Sequence, residues 1–452
     1  MKFRVEREAL GEAVAWVARE LPARPVIPVL SGLLMQASGA GLTLSCFDYE
    51  VSARVTVPAE VDEDGTALVP GRLLAEITRS LPPRDVEFSS PDDMLRVACG
   101  SAEFELVSLP VDEYPGLPEP PAPAGTVDGG VLAAAAAQVV PSASRDDTLP
   151  MLTGVCLDVS GTEMTLAATD RYRLAVRTVP WTPAVPGLRA AALVPARTLA
   201  DVARTMGPGV PVTIAFSVPQ QAASGAASGA AAAAASGAAS GAGEPRPAEG
   251  MISFEGGGRR LTARLIGGDF IRYRSRFPAD FGCRAVLPAD QFTAAVRRVS
   301  LVAERTSPVQ LTFTDGEVVI QAHTDGRARA AETVRAAFTG SEPAISFNPG
   351  YLLDGLTAAA ICGATRPPAA GEPSSGEPEP GRIQLEFTSP AKPALITWAG
   401  YDTAPIDAPG EPAEDRLDAP GESGEDRPGN TEPEAPTFRY LVVPLRSPST
   451  GT

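Results

Sequence analysis

The sequence repeats one pattern of a helix followed by strands, and this duplication restricts the fold more than any other feature. In the first copy, apolar residues recur from Leu10 to Leu21 at the spacing of one face of an α-helix. The strands predicted after this helix are residues 29–36, 41–47 and 50–57. The same order of elements returns in residues 132–179 and again in residues 292–334.

A second repeated unit, again a helix followed by strands, comes after each of these copies. Residues 69–80 and 194–205 match in pattern, and each Arg of the first segment coincides with an Arg of the second. A third copy begins at Phe347. Periods of this length indicate duplicated domains rather than a solenoid of short repeats. We therefore predict an α+β chain of three similar domains. The predicted domains are residues 1–124, 125–281 and 282–452.

Three segments interrupt the repeats and are predicted to be insertions without a core of their own. They are residues 220–248, 364–381 and 402–436. Rich in Ala, Ser, Gly, Pro and acidic residues, they bury too little apolar surface to offset the entropy lost on ordering. The last segment holds 11 acidic residues against two Arg, which is about half of the net charge of −17. The rest of the chain is therefore less acidic than its total charge indicates.

Residues on which many enzymes depend are scarce. The chain has one His, His323, and two Lys, Lys2 and Lys392, neither of which follows Gly as a phosphate-binding P-loop requires. Its five Cys lack the CxxC spacing of a zinc site. A Ser-His-Asp triad or a His-ligated metal would depend on His323 alone, which lies in a polar stretch. We expect no metal, no other cofactor and no catalytic residue.

The N-terminus and the hydropathy pattern predict a soluble, cytoplasmic protein that does not enter a membrane. The first residues, Met-Lys-Phe-Arg-Val-Glu-Arg, lack the apolar core of a secretory signal peptide. No apolar run reaches the roughly 20 residues that cross a bilayer as a helix.

Arg residues recur on the polar face of equivalent predicted helices in this acidic chain. In the helix predicted at 71–81, Arg72 and Arg79 lie opposite the apolar stripe, and Arg197 and Arg204 do so in the repeat. A solvated face explains any one of these helices. Recurrence at equivalent positions favours a positive surface for a polyanion, bound through its phosphates without sequence specificity.

Five motifs together are typical of one protein family. They are Arg24-Pro-Val-Ile-Pro-Val-Leu, Thr148-Leu-Pro-Met-Leu-Thr-Gly, Thr169-Asp-Arg-Tyr-Arg-Leu-Ala, Phe347-Asn-Pro-Gly-Tyr-Leu-Leu-Asp-Gly-Leu and Tyr440-Leu-Val-Val-Pro-Leu-Arg. With them, the sequence resembles the bacterial DNA polymerase III beta subunit, the sliding clamp, in a form expected of an actinobacterium. The resemblance covers nearly all of the chain outside the three predicted insertions.

The resemblance implies a binding protein rather than an enzyme. Three similar domains per chain would form a head-to-tail homodimeric ring, with two helices of each domain lining a central hole and antiparallel sheets outside. Such a ring encircles double-stranded DNA without sequence specificity and gives processivity to the replicative polymerase. The partners it implies are the DNA polymerase III alpha subunit, the clamp loader and other proteins that carry a clamp-binding motif.

Two sets of residues follow for the ring. Arg24 matches a family position near DNA, and the other DNA-facing candidates rest on the helical faces described above. The DNA-facing candidates are Arg24, Arg72, Arg79, Arg197, Arg204 and Arg298. Phe104 of the first domain and Leu301 of the third match family positions in the dimer interface, where pairing hides exposed strand edges.

The resemblance also implies a pocket between the second and third domains, beside the C-terminus, where partners dock short peptides. Leu, Val and Pro side chains would bury apolar groups, and a few polar groups would orient the peptide. The predicted pocket residues are Leu152, Thr169, Arg171, Tyr172, Arg173, Leu174, Ile271, Ser275, Arg276, Asn348, Tyr351, Val442, Val443, Pro444, Leu445 and Arg446.

Some pocket positions depart from the family pattern. Pro is usual where Ile271 stands, and Ser275 and Val443 also replace commoner residues. Since Pro fixes φ, Ile271 is expected to reshape this wall of the pocket. One alternative is therefore a second-copy clamp that gives resistance to cyclic-peptide antibiotics aimed at the pocket. A remote alternative is an enzyme that acts through carboxylates such as Asp170 and Asp354.

Overall fold

A computed structural model describes most of the chain, in two compact units. The described residues are 1–90, 94–217, 250–304, 307–324, 327–364, 381–400 and 437–445. Apart from residues 364 and 381, the predicted insertions lie outside the described residues, as does Arg446 of the predicted pocket. Unit 1 comprises Met1–Gly130, Val159–Thr162 and Pro180–Gly268. Unit 2 comprises Val131–Asp158, Glu163–Val179 and Asp269–Thr452.

The elements follow the predicted order of a helix and then strands in all three copies. The first third of the chain contains β1 (Lys2–Val5), α1 (Arg7–Arg19), β2 (Gly32–Ser38), β3 (Gly41–Phe47), β4 (Val51–Val57), β5 (Glu60–Glu63), β6 (Gly65–Pro70), α2 (Gly71–Ser80), β7 (Val86–Ser89), β8 (Met94–Cys99) and β9 (Ala102–Val107). The central third contains β10 (Pro123–Asp128), α3 (Gly129–Val139), β11 (Gly154–Ser160), β12 (Glu163–Thr169), β13 (Arg173–Pro180), β14 (Thr182–Pro183), β15 (Arg189–Pro195), α4 (Ala196–Thr205), β16 (Pro211–Phe216), β17 (Met251–Gly256) and β18 (Arg259–Arg264).

The last third repeats this order and ends on a strand close to the C-terminus. It contains β19 (Cys283–Pro288), α5 (Ala289–Val299), β20 (Val309–Thr314), β21 (Glu317–Thr324), β22 (Ala328–Arg335), β23 (Ala337–Thr339), β24 (Ala344–Phe347), α6 (Pro349–Ala364), β25 (Arg382–Phe387), β26 (Ala394–Gly400) and β27 (Phe438–Val442). Short 3-10 turns lie at Pro28–Ser31, Val140–Ser142, Pro150–Leu152, Tyr273–Arg276 and Ser300–Val302.

Unit 1 is built on two antiparallel sheets. Their strand orders are β5-β1-β7-β8-β9 and β14-β10-β16-β17-β18-β4-β3-β2-β6. Leu261 of β18 pairs with Ala53 of β4, so strands of the first and central thirds of the chain share one continuous sheet. Helix α1 packs against α2 and onto β3 and β4. Leu10, Val14 and Val17 are fully buried there, which confirms the apolar stripe predicted for this helix.

Unit 2 also holds two antiparallel sheets, and the C-terminal strand occupies a central place in one of them. The strands of unit 2 follow the orders β11-β12-β13-β27-β26-β25-β19-β23 and β22-β21-β20-β24. Strand β27 thus lies between β13, from the central third, and β26, from the last third. Helix α6 packs over β25, β26 and β27. The Gln138 side chain of α3 donates to the Ala358 carbonyl of α6 at 2.8 Å.

Candidate functional site

Strands β13 and β27 form a wall with two different faces. Leu174 pairs with Leu441, and Arg173 pairs with Val442. Because successive side chains of a strand alternate between faces, the two Leu share one face and Arg173 shares the other with Val442. Leu441 therefore accompanies Leu174 on the candidate pocket face, where each is buried with 5% exposure, and Val442 is fully buried on the opposite side. Sequence analysis missed Leu441, because choosing between neighbouring residues of a strand requires the register.

The guanidinium of Arg173, one of the predicted pocket residues, makes its contacts within the fold. Nε donates to Asp170 at 3.0 Å, Nη1 to Asp354 and Nη2 to the Pro141 carbonyl. The guanidinium also lies 4.6 Å from the ring centroid of Tyr351. With its donors directed to these partners, Arg173 joins the strand to helix α6 and to the turn that follows α3.

These contacts also account for the two carboxylates of the enzyme alternative, because Asp170 and Asp354 are ion-paired with the same Arg. Within the described part of the chain, no group of His, Cys, Asp and Glu is arranged to hold a metal ion.

A tight turn before β13 presents Tyr172 to solvent. The Asp170 carboxylate accepts hydrogen bonds from the backbone N–H groups of Tyr172 and Arg173 at 3.0 and 3.1 Å. Arg171 has a φ of 81°, a left-handed conformation that non-glycine residues seldom adopt. The Thr169 hydroxyl donates to the Arg173 carbonyl and closes the turn. As a result the Tyr172 side chain is 52% exposed, and Arg171 is exposed beside it.

An aromatic pair forms where this turn meets helix α6. The Tyr172 and Tyr351 rings are stacked, with centroids 6.2 Å apart and an interplanar angle of 21°. The Asn348 side chain accepts from the Gly350 and Tyr351 N–H groups, which fixes the first turn of α6. Val443 N–H donates to the Tyr172 carbonyl at 2.8 Å. The structure therefore brings together four of the predicted pocket residues, Tyr172, Asn348, Tyr351 and Val443.

Three other predicted pocket residues are less exposed to solvent than Tyr172. Leu445 N–H donates to the Ser346 carbonyl at 2.8 Å, and Pro444 is buried. Leu152 is buried at the end of the 3-10 turn Pro150–Leu152, and its carbonyl accepts a hydrogen bond from Ser144 N–H.

Residues 270–277 form the segment in which the sequence departs from the family. The Tyr273 hydroxyl donates to Asp158 Oδ2 at 2.7 Å, and Arg274 pairs with the same oxygen at 2.9 Å. These contacts anchor the segment to β11. Ile271 is half-buried, whereas Ser275 is exposed and donates to the carbonyl of Arg272 within the turn. Arg276 is also exposed.

A cationic groove of about 450 Å³ lies in unit 1, between α1, α2, the end of α4 and the β17–β18 hairpin. Its lining residues are Arg7, Glu8, Gly11, Glu12, Ala15, Trp16, Arg19, Ala75, Thr78, Arg79, Arg204, Thr205 and Arg259. Five of these side chains are cationic and two are anionic. Arg79 and Arg204 were predicted from the repeat, and both lie here. Sequence analysis missed Arg7, Arg19 and Arg259. Of the two on α1, Arg19 lies opposite the apolar stripe, where helical spacing could have found it, whereas Arg7 lies at the edge of that stripe, three and seven residues before Leu10 and Val14.

The other predicted DNA-facing residues differ in how far their charge is already neutralised. Arg24 is exposed in the loop after α1. Arg72 is exposed and donates to the Leu21 carbonyl. Arg197 is exposed on α4 and lies 3.9 Å from Asp201. Arg298 makes two hydrogen bonds to Glu332 of β22, and this pairing raises the pKa of Arg298 and lowers that of Glu332.

The two predicted interface residues lie on or beside edge strands. Phe104 is half-buried on β9, the last strand in its sheet of unit 1. Leu301 is 83% exposed in the 3-10 turn that contacts β21 and β22, and β22 is an edge strand in unit 2. Each unit therefore presents an open edge beside a predicted interface residue.

Comparison with known proteins decides the family. Three consecutive stretches match the DNA polymerase III beta subunit: its N-terminal domain at residues 1–118, its central domain at 126–271 and its C-terminal domain at 274–361. The beta sliding clamp of Streptomyces coelicolor is 47% identical over 397 residues, which cover 88% of this chain and 94% of that protein. The chain belongs to the beta sliding clamp family.

Other beta sliding clamps support the same assignment. The beta sliding clamp homolog GriR of Streptomyces muensis is 42% identical over 79% of this chain and 88% of its own length. The clamp of Bacillus subtilis has a solved structure that superimposes with a TM-score of 0.74 at 22% identity, over 99% of each chain. The clamp of Pseudomonas aeruginosa bound to griselimycin gives the same TM-score and identity, over 99% of this chain and all of that one. These structures share the fold.

Membership of the beta sliding clamp family identifies the chain as a replication protein and processivity factor without catalytic activity of its own. None of the described helices is long and apolar enough to cross a membrane.

Proposed function

We propose that two copies of this beta clamp close into a ring around duplex DNA and hold DNA polymerase III on it. The observation that carries the proposal is the cationic groove of unit 1, where Arg residues of three helices converge in a chain with a net charge of −17. The chain belongs to a family of replication subunits, and the positive charge of the groove suits a polyanion. Both observations support DNA as the ligand. We further propose that this takes place in the cytoplasm, where bacterial DNA is replicated.

The groove suits a duplex that must be held loosely. Arg side chains bind phosphate oxygens without reading the bases, and each phosphate neutralised makes affinity fall with salt. Glu8 and Glu12 face the same groove and moderate its positive potential. Of the candidates, Arg79 and Arg204 line this groove, and Arg204 is ion-paired with Asp201. Arg24, Arg72 and Arg197 are proposed to extend the positive surface beyond the groove. Arg298 contributes less, because Glu332 already holds its charge.

Ring closure is proposed to join the β9 edge of one copy to the β22 edge of the other. An open strand edge exposes unpaired backbone groups, and pairing between subunits removes that exposure. Glu105 is exposed on β9 and Arg329 on β22, so the two edges also carry opposite charges. Phe104 and Leu301 would then be covered by the partner copy. Since the two surfaces differ, the contact is head-to-tail and needs rotational closure. The three domains remain proposed at residues 1–124, 125–281 and 282–452.

Partner peptides are proposed to dock where the Leu174–Leu441 face meets the Tyr172–Tyr351 pair. The Tyr172 side chain is exposed and that of Tyr351 is half-buried, and aromatic rings beside apolar side chains are typical of surfaces that recognise peptides. The polymerase alpha subunit and the clamp loader are the expected partners, and both would use this surface.

Charge variants of the groove test the proposal. We expect Arg79→Gln combined with Arg204→Gln to weaken duplex binding at low salt and to reduce the slope of log affinity against log salt by about 1 to 2. Arg84→Gln is the matched control, because Arg84 is exposed on unit 1 but does not line the groove. Sedimentation of the full chain should show a dimer. A monomer at micromolar concentration, or equal losses in both variants, would contradict the proposal.

A second candidate function is a clamp that tolerates inhibitors of the peptide pocket. It is favoured by Ile271, where the family usually has Pro, and by the 42% identity to the clamp homolog GriR. Griselimycin binds the structurally similar Pseudomonas aeruginosa clamp, and is therefore the ligand to test. We expect Ile271→Pro to bind griselimycin more tightly than the unmodified chain while keeping its affinity for partner peptides. Equal griselimycin affinity in both proteins would exclude this candidate.

A further inference from the structure

Helices α2 and α4 carry the same arrangement of charged residues, because they belong to matching repeats. In each helix an Arg is followed four residues later by a carboxylate and three residues after that by a second Arg. These residues are Arg72, Glu76 and Arg79 in α2, and Arg197, Asp201 and Arg204 in α4. Residues three or four apart are neighbours on a helix surface, so each carboxylate is within reach of both Arg of its helix.

In α4 the carboxylate of Asp201 contacts both Arg. Its Oδ1 accepts a hydrogen bond from Nη2 of Arg204, and its Oδ2 lies 3.9 Å from Nε of Arg197. The Asp201 side chain is 12% exposed, so solvent and salt screen these pairs less than they screen a fully exposed pair. The positive charges of both Arg are therefore partly neutralised before DNA approaches.

The equivalent carboxylate of α2 does not pair with either Arg of its helix. Glu76 is exposed and forms no ion pair with a described residue, and the same absence of ion pairs holds for Arg72 and Arg79. Arg72 donates instead to the Leu21 carbonyl at 3.2 Å. Two helices with the same arrangement of charges thus differ in how much of their positive charge is available to a ligand.

This difference reaches the groove of unit 1, because Arg79 of α2 and Arg204 of α4 both line it. A phosphate that binds Arg79 gains a new ionic contact and releases counterions. A phosphate that binds Arg204 must displace Asp201, so the lost ion pair offsets part of the gain. Arg204 therefore adds less to duplex affinity than its position in the groove indicates.

We propose that Asp201 limits the affinity for duplex DNA by holding the two Arg of α4, while α2 supplies the available positive charge. This inference rests on the proposed function, because it requires that duplex DNA lies along the groove. It assigns Asp201 a role in sliding: a chain that binds phosphates weakly through α4 exchanges them more readily as it moves along the duplex.

Asp201→Asn tests the proposal in the full chain, with a short fluorescein-labelled duplex and anisotropy measured over a series of salt concentrations. We expect about fivefold tighter binding at low salt, and a slope of log affinity against log salt that is steeper by about 1 to 2. Asp201→Ala should give the same gain, and Asp201→Glu, which keeps the charge, should bind like the unmodified chain. Glu76→Gln is the matched control, because it makes the same change of net charge at the equivalent position of α2. Its affinity should change by less than about twofold.

A second background shows whether the effect of Asp201 passes through the two Arg of α4. With Arg197→Gln and Arg204→Gln present, Asp201→Asn should change the affinity by less than about twofold. Equal gains from Asp201→Asn and Glu76→Gln would overturn the proposal, since only net charge would then matter. Unchanged or weaker binding by both Asp201→Asn and Asp201→Ala would overturn it as well. If the unmodified chain bound duplex DNA without any dependence on salt, the proposed function itself would fail.

Discussion

The two faces of the β13–β27 strand pair use polar groups in opposite ways. One face, here called the inner face, carries Arg173 and Val442 and packs against α6. On this face Arg173 directs its donors to Asp170, Asp354 and a backbone carbonyl. The other face, here called the outer face, carries Leu174 and Leu441. On this face Arg439 lies beside the two Leu and makes no ion pair with a described residue. Arg173 holds elements of the fold together, whereas Arg439 packs on the Phe277 ring. The difference shows that an Arg beside a pocket cannot be assigned to binding without knowing which face of its strand it occupies.

The largest expected effect is a loss of stability when the Arg173 contacts on the inner face are removed. Arg173→Ala leaves Asp170 largely buried without its counter-charge and frees Asp354 from the strand. We expect a loss of about 2–4 kcal/mol in the free energy of unfolding, measured by urea denaturation. Arg276→Ala, at an exposed position, should change it by less than about 0.5 kcal/mol. Equal stability of the two variants would show that the inner network contributes nothing to the fold.

The packing of α6 on the inner face gives the next effect. A Cβ at Gly355 would lie 2.5 Å from Tyr440 Cε1, although Ala is otherwise the better helix former. We expect Gly355→Ala to lower the free energy of unfolding by about 1–3 kcal/mol.

Gly11 of α1 provides the matched control, because nothing lies within 4 Å of its added Cβ. Gly11→Ala should raise the free energy of unfolding by about 0.5–1 kcal/mol. Stabilisation by both substitutions would mean that α6 is not packed closely on β27.

Tyr172→Ala, in the turn where β13 meets α6, is expected to affect binding rather than stability. Because this side chain is 52% exposed, we expect little change in the free energy of unfolding. Loss of the stacked ring should weaken partner-peptide binding by about tenfold, measured by anisotropy. A stability loss as large as that of Arg173→Ala, with unchanged peptide affinity, would show that Tyr172 stabilises the fold and does not bind the peptide.

The smallest expected effect concerns Arg298, which, like Arg173, is ion-paired with a carboxylate of the fold. Glu332 has a lowered pKa because Arg298 pairs with it, so this pair stabilises the fold above the ordinary Glu pKa. The contribution is lost as the pH falls through the lowered value. Arg298→Gln should return the pKa of Glu332 towards its ordinary value, measured by NMR titration, and should weaken DNA binding less than Arg79→Gln does. A larger loss of DNA binding from Arg298→Gln would show that Arg298 leaves Glu332 for the phosphates.

The spacing of apolar residues predicted the helices well, because a stripe of apolar residues with helical spacing forms one buried face only when the segment is a helix. The helix from Leu10 to Leu21 and the paired helices at 71–80 and 196–205 were visible as apolar stripes. The role of Arg173 was not visible, because its partners are 32 and 181 residues away in the sequence. Leu441 was missed for a related reason, since the face of a residue in β27 is set by its register with β13.

That Arg439 forms no ion pair with a described residue could also not be predicted from the sequence. A single Arg among aromatic and aliphatic residues gives no sign of whether a carboxylate packs against it. Its placement on Phe277 depends on a contact between residues 162 positions apart. By contrast, the cationic groove was partly predictable, because Arg79 and Arg204 occupy equivalent positions in a repeat.

Retention on DNA tests the central claim most directly. The full chain would be loaded onto nicked circular plasmid by its clamp loader, separated from free protein by gel filtration at moderate salt, and examined before and after a single restriction cut. A topological clamp should remain on the circle and be lost within minutes of linearisation, because it slides off the ends. Equal retention on the circular and linear forms would mean that the chain holds DNA by local contacts alone, and would contradict the account.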